Sequence, residues 1–175
     1  MTVQEERDGL VQDDDTILER IFVTLADRVK ADPHAWDGAY SKQIRTLPPG
    51  LRAMAATHDL VVSLSQGDLG WHFRHCGEPN HVQETERGLR ELGLEELAEL
   101  FCEAYEIVLP HMHEIRVSDD YVECLRREGR LNRITELTRE VAKLDEVSGE
   151  RVSGSAIYAA WIRYTREHVK CVFPV

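Results

Sequence analysis

Apolar residues recur at spacings of three and four along most of this chain, with little of the alternation at a spacing of two that marks a half-buried strand. Such a period constrains the chain to helices that each bury one face, so the expected fold is all-α, a single compact domain of about seven or eight helices. Thr16 and Glu19 form a capping box ahead of Ile17, Ile21, Leu25 and Val29, which starts the first helix near Thr16. A short helical piece over Ala35 to Arg45 follows Pro33, and Leu47-Pro48-Pro49-Gly50 then breaks the chain. Further helices are expected over Leu51 to Ser65, Leu69 to Cys76, Asn80 or His81 to Leu92, Leu94 to Leu109, Ser118 to Arg127, Leu131 to Val147 and Ser155 to Val169. Gly67 is expected to close the third of these segments in a left-handed conformation, Gly93 closes the helix ending at Leu92, and Ser148-Gly149-Glu150 marks a turn. Tyr158, Trp161 and Tyr164 form a stripe that docks the last helix onto the body.

A length of 175 residues with 42% apolar and 30% charged side chains is that of an ordinary domain with a real core, and it excludes collagen, disordered and disulfide-scaffold classes. Residues 1–15 read as an acidic, mobile tail and residues 16–175 as the domain. The polar start lacks the basic-then-apolar order of a secretory signal, and no later stretch approaches the roughly 18 apolar residues of a membrane helix. A cytoplasmic protein without membrane association is expected. Cys76, Cys102, Cys124 and Cys171 form no CxxC and read as reduced, mostly buried thiols.

Charge carries most of the functional information. The formal net charge of −11 repels a phosphate backbone, which argues against direct nucleic-acid binding and favours basic partners. The excess is concentrated: residues 1–20 hold seven acids and two bases, residues 80–109 hold eight glutamates against Arg87 and Arg90, and the remaining segments balance. On the Leu94 to Leu109 helix, Leu94, Leu97, Ala98, Phe101, Ala104, Tyr105 and Val108 share one face, and Glu95, Glu96, Glu99, Glu103 and Glu106 gather on the other. Carboxylates one turn apart stand about 5 to 6 Å from each other, similar to phosphates along a strand, and cost the helix a few tenths of a kcal/mol per pair with no lysine interleaved. The bland alternative is a solvated face whose first acids favour the positive helix end and whose others pair with bases on neighbouring helices.

Gln66-Gly67-Asp68-Leu69-Gly70-Trp71-His72-Phe73, then Gly77, then Gly88-Leu89-Arg90-Glu91-Leu92-Gly93-Leu94 and the glutamate-rich helix resemble the DNA mimic protein 19-like domain family. The resemblance spans about residues 51–110, with looser agreement to the last helix. Asp68 stands where the family tends to have a second glycine, Trp71 where it tends to have glutamine, and His72 replaces an aromatic. Asp tolerates a left-handed backbone, so the turn is expected to survive the first change. The resemblance implies a helical, acidic binding protein, with a homodimer as a possible assembly, in which an acidic face imitates DNA and occupies the DNA-binding surface of a basic protein such as a transcription factor. It assigns no individual acid. The residues chosen for that face, on charge alone, are Glu95, Glu96, Glu99, Glu103 and Glu106, supported by Glu84, Glu86, Glu91 and the Asp13-Asp14-Asp15 run.

No GxSxG, Walker-type loop, GxGxxG or HExxH is present, and Ser63 and Ser65 have no partner that sequence can name, so no catalytic residue and no cofactor is assigned. His72, His75, Cys76 and His81 lie within ten residues, and His111, His113 and Glu114 form an HxH link, but neither set has an established ligand spacing and no metal is assigned. Two further readings stand beside the mimic: a structural or immunity-type module that binds through an apolar patch, with acids for solubility only, and a metal-dependent enzyme built on the histidines.

Overall fold

The computed structural model describes residues 13–146 and 155–173. Its helices are α1 (Asp14–Arg28), α2 (Ala39–Ile44), α3 (Pro49–Gln66), α4 (Leu69–Cys76), α5 (Pro79–Glu91), α6 (Glu95–Val108), α7 (Met112–Val117), α8 (Tyr121–Arg127), α9 (Leu131–Asp145), α10 (Ala156–Glu167) and α11 (Val169–Val172), with a 3₁₀ turn at Leu109–His111 between α6 and α7. Eight of them have seven residues or more and no sheet accompanies them among the described residues, so the all-α expectation holds. Residues 1–12 and the Ser148-Gly149-Glu150 turn lie outside the described residues.

α3 is the axis of the bundle. It packs against α1, α2, α4, α5, α10 and α11, which explains why Leu51, Ala53, Met54, Ala55, Ala56, Thr57, Leu60 and Val61 are buried on nearly every side. Its closest neighbour is α5, and the two backbones approach through small residues: a Cβ on Gly88 would stand 2.9 Å from the Ala53 carbonyl oxygen and 3.1 Å from Thr57 Cγ2. Thr85 Oγ1 donates to the Ala56 carbonyl at 2.9 Å across the same seam. On the far side, fully buried Trp161 of α10 donates its indole N–H to Thr57 Oγ1 at 3.0 Å. Tyr158 and Tyr164 flank it half-buried, so the aromatic stripe docks α10 as expected.

Glu84 was placed by its charge on the acidic face, and this is corrected by the structure. Its side chain is 2% exposed and sits between α2 and α3, accepting from Arg45 Nε at 2.7 Å and Arg52 Nε at 2.6 Å. Each carboxylate oxygen takes one guanidinium, which links three helices through one buried charge. Burial pushes the Glu84 carboxyl up, but the hydrogen bonds and charges of Arg45 and Arg52 together outweigh it and hold the group below the ordinary glutamate range.

Local corrections follow from capping chemistry. α1 begins at Asp14, with Asp13 as its cap accepting from the Thr16 N–H at 2.9 Å; aspartate is the stronger cap, and Asp14 and Asp15 favour the positive end of the first turn. The Asp13-Asp14-Asp15 run is therefore helix start, not tail. α2 begins only at Ala39, because Trp36 and Gly38 both take positive φ and interrupt any helix from Ala35. Gly67 ends α3 with φ −161°, not left-handed, and a side chain there would crowd Trp71 Cβ at 3.2 Å. Asp68 is likewise extended and caps α4 by accepting from the Trp71 N–H at 2.8 Å. α8 starts at Tyr121 under the Asp120 cap, and α7, unforeseen, precedes it.

Gly88→Ala is expected to force α3 and α5 apart and cost about 1–3 kcal/mol, read from urea denaturation; a change within about 0.5 kcal/mol would mean the seam is looser than the geometry states. Because the folded-state pKa of Glu84 is depressed, its contribution is present above the ordinary glutamate range near pH ~4.3 and is lost as pH falls through and below it. Glu84→Gln should therefore lower the urea midpoint near neutral pH and flatten the acid limb of the stability profile. An acid limb identical to that of the parent protein would contradict this assignment.

Candidate functional site

The glutamate-rich segment is built on α5 and α6, joined by a tight turn. Gly93, at φ +74°, closes α5 with the Gly93 N–H on the Arg90 carbonyl and the Leu94 N–H on the Leu89 carbonyl, each at 2.9 Å, a paired pattern that reverses the chain into α6. α6 buries Leu97, Ala98, Phe101, Ala104 and Val108 against α4, α5 and α9, as its periodicity predicts. Burying the leucine, phenylalanine and valine contributes about 1.5–3 kcal/mol each and fixes the rotation of the helix. The opposite face must then carry the acids, and Glu95, Glu96, Glu99 and Glu106 are exposed, with Glu103 half-buried.

Exposure and free charge differ. Arg90 pairs with Glu95 and, at 3.2 Å, with Glu86. Arg133 of α9 reaches across to Glu103 at 2.6 Å, and Glu136 and Glu140 lie 3.4 and 3.7 Å from the same guanidinium. Glu91 accepts from the Tyr164 hydroxyl, and Glu84 is buried as described. Among the described residues an uninterrupted acidic face is thus absent, and Glu84, Glu86, Glu95 and Glu103 are held in internal ion pairs. Among the described residues no cation lies within ion-pair distance of Glu96, Glu99 or Glu106. These three lie along one stripe of α6, spanning roughly 15 Å at the helical rise. Beside them, Arg133 meets three carboxylates with one positive charge, so the α6–α9 seam keeps excess negative charge. Sequence counting missed Glu136 and Glu140 because residues 110–175 balance as a whole, although their i, i+4 spacing on α9 was a usable signal.

Of the first acidic segment the described part opens α1, which packs on α3 and α10, whereas α6 packs on α4, α5 and α9, and Asp14 is already paired with Arg166 at 2.6 Å. Large exposed apolar side chains, the requirement of the apolar-patch reading, are Val23, Leu109 and Val117 among the described residues, on three separate elements. No described helix is long and apolar enough to cross a membrane. The four thiols are free, Cys76 and Cys124 buried, Cys102 and Cys171 half-buried.

The histidine set dissolves on folding. His72 is fully buried and bonds through Nδ1 to Ser63 Oγ at 2.8 Å; Ser63 spends its own proton on the Asp59 carbonyl at 2.6 Å, so the proton between them belongs to His72. Desolvation, helped by His81, lowers the His72 pKa to about 3 and keeps the ring neutral. His75 turns back to the Trp71 carbonyl at 2.8 Å. His111 lies 3.8 Å from Glu128, Glu114 pairs with Arg127 at 2.6 Å, and His113 is exposed. Cys76 instead meets two residues that sequence reasoning did not connect with it: His34, Asp59 and Cys76 bring Nδ1 or Nε2, a carboxylate oxygen and Sγ within 4.8 Å of one another. The available signal was an acid in the middle of α3, a helix otherwise buried on most sides.

Neither curated proteins nor solved structures give a match to this chain. The family comparison does: the model of the DMP19-like protein family, whose fold is non-catalytic, matches residues 45–167, from the end of α2 through α10. With that match covering the bundle axis, the Gly88 seam and the whole α5–α6 unit, the chain belongs to the DMP19-like family.

Proposed function

We propose that this protein is an acidic binding protein that occupies the DNA-binding surface of a basic partner, using the α6 row of Glu96, Glu99 and Glu106 as its contact. The observation that carries the reading is that, among the described residues, these carboxylates have no ion-pair partner while Glu84, Glu86, Glu95 and Glu103 are consumed internally. Charges already paired offer a partner little, because binding must first break or share their bridges; unpaired, water-exposed carboxylates offer the full Coulomb term. Glu103, Glu136 and Glu140 reinforce the row, since one arginine among three carboxylates leaves the seam negative. Family membership supports the same class of function. Steering by such a field raises the association rate more than it lengthens the complex lifetime, and it is screened over about 8 to 10 Å at physiological salt. The apolar-patch alternative has less support, as its three exposed apolar side chains stand on separate elements.

Capture from a lysate is expected to retain a basic DNA-binding protein at low salt and to release it with added duplex DNA and with added salt. The double variant Glu96→Lys/Glu99→Lys should lose that capture while keeping the far-ultraviolet dichroism and urea midpoint of the parent, since both side chains are exposed. Capture that survives charge reversal, salt and duplex DNA would eliminate the electrostatic reading and leave a partner recognised by shape.

A further inference from the structure

Beneath the loop that joins α1 to α2, three potential metal ligands from three segments converge, and a fourth, His81, stands beside one of them. His34 comes from the loop, Asp59 from α3, Cys76 from the end of α4 and His81 from the first turns of α5. His34 Nδ1 lies 3.5 Å from Cys76 Sγ, the Asp59 carboxylate is within 4.8 Å of both, and His81 Nε2 lies 3.8 Å from Asp59 Oδ2. A tetrahedral zinc with Zn–S near 2.3 Å and Zn–N near 2.0 Å places its sulfur and nitrogen ligands about 3.5 Å apart, the separation found between Cys76 and His34. Nitrogen and oxygen ligands of the same ion stand about 3.4 Å apart, so His81 and Asp59 need close by only a few tenths of an ångström.

The polar atoms here are unsatisfied in a way that points to a ligand. Asp59 Oδ2, His81 Nδ1 and His81 Nε2 are buried with no hydrogen-bond partner, and His81 as a whole is 1% exposed. Asp59 Oδ2, 3.8 Å from His81 Nε2, is a buried carboxylate oxygen without a hydrogen bond. A divalent cation gives Asp59 Oδ2 and His81 Nε2 a common partner. The loop is also preorganised: Gln43 Oε1 accepts from the Lys30 and Ala31 N–H groups at 3.0 and 2.8 Å, the His34 N–H donates to Asp32 at 2.9 Å, and the Trp36 indole donates to the His75 carbonyl at 2.9 Å. His34 is the exposed member of the set and gives an ion its path inward.

We propose that His34 Nδ1, the Asp59 carboxylate and Cys76 Sγ form a site for one zinc-class divalent cation, with His81 Nε2, 3.8 Å from Asp59, closing in as the fourth ligand, and that the ion pins the α1–α2 loop to the bundle. Mixed thiolate, imidazole and carboxylate donors select zinc over the oxygen-seeking magnesium and calcium. Binding releases the Cys76 thiol proton to solvent, leaving the thiolate on the metal. The site is independent of the acidic row and does not rest on the partner reading.

The test uses the full chain, stripped with a chelator, dialysed and titrated with Co2+ as the probe. One Co2+ per chain is expected, with tetrahedral visible bands and a thiolate-to-cobalt charge-transfer band, all displaced by Zn2+. Cys76→Ser should remove the charge-transfer band, and His34→Ala, a change at an exposed loop position that leaves the core intact, should weaken Co2+ by at least the roughly 10–100-fold that losing even an outer-shell partner costs. His113→Ala should match the parent. Zn2+ should raise the unfolding temperature of the parent chain and fail to raise that of His34→Ala. Absence of saturable Co2+ binding overturns the site. So does a charge-transfer band that persists in Cys76→Ser, or binding that survives His34→Ala and is lost in His113→Ala.

Discussion

The close approach of α3 and α5 at Gly88 is the contact on which the other elements depend. With no side chain at Gly88, the α5 backbone comes within van der Waals range of Ala53 and Thr57, which frees Thr85 to reach the Ala56 carbonyl and Glu84 to reach Arg45 and Arg52. Thr57 is then held on its opposite side by Trp161, so the seam also sets the position of α10. Because α6 follows α5 through a turn fixed at Gly93, any widening of the seam would carry the glutamate row with it. Small residues at one crossing thus determine where the exposed charge is presented, since ridges and grooves transmit a backbone shift along whole helices.

Electrostatics in this protein divides by depth. Glu84 is buried and anchored by two arginines, so its charge serves the packing of three helices, and leaving either side unpaired there would carry a desolvation cost. At intermediate depth Arg90 and Arg133 each gather two or three glutamates, which lowers repulsion among the acids without cancelling it. Among the described residues the outermost row of α6, Glu96, Glu99 and Glu106, stays without ion pairs. A helix under no pressure to bind would gain by interleaving lysine at i+4, as that pair stabilises a helix where two glutamates destabilise it.

What could be read from the chain follows this division. Helix existence and the buried face of α6 were legible, since Leu97, Ala98, Phe101, Ala104 and Val108 declare their period without knowledge of neighbours. The boundaries of α4 were legible too, whereas α2 was placed too early because nothing local announces that Trp36 takes a positive φ. Pairing was not legible. Glu84 and Glu96 look alike in a count of charges, and only the crossing of α2 over α5 brings Arg45 to one and leaves the other in solvent. Likewise His72, His75 and Cys76 suggested a cluster by proximity in sequence, but one helical turn aims His72 at α3 and returns His75 to its own backbone. The convergence of His34, Asp59 and Cys76 spans three elements and is a property of tertiary structure alone.

The neutral imidazoles explain why polar residues accumulate under the α1–α2 loop without destabilising it. His72 can remain buried because desolvation and the proximity of His81 keep it uncharged, and its Nδ1 proton is satisfied by Ser63. His81, tilted against the Tyr40 ring with centroids 4.7 Å apart, has no such partner on either nitrogen. If the pocket existed only to fill space, an apolar side chain at His81 would pack against Tyr40 with no desolvation penalty, and Asp59 would gain nothing from facing it. Keeping the Asp59 oxygen, the Cys76 thiol and the His81 imidazole at that depth is costly in a core that elsewhere uses leucine, alanine and phenylalanine, and the proposed cation would offset that cost.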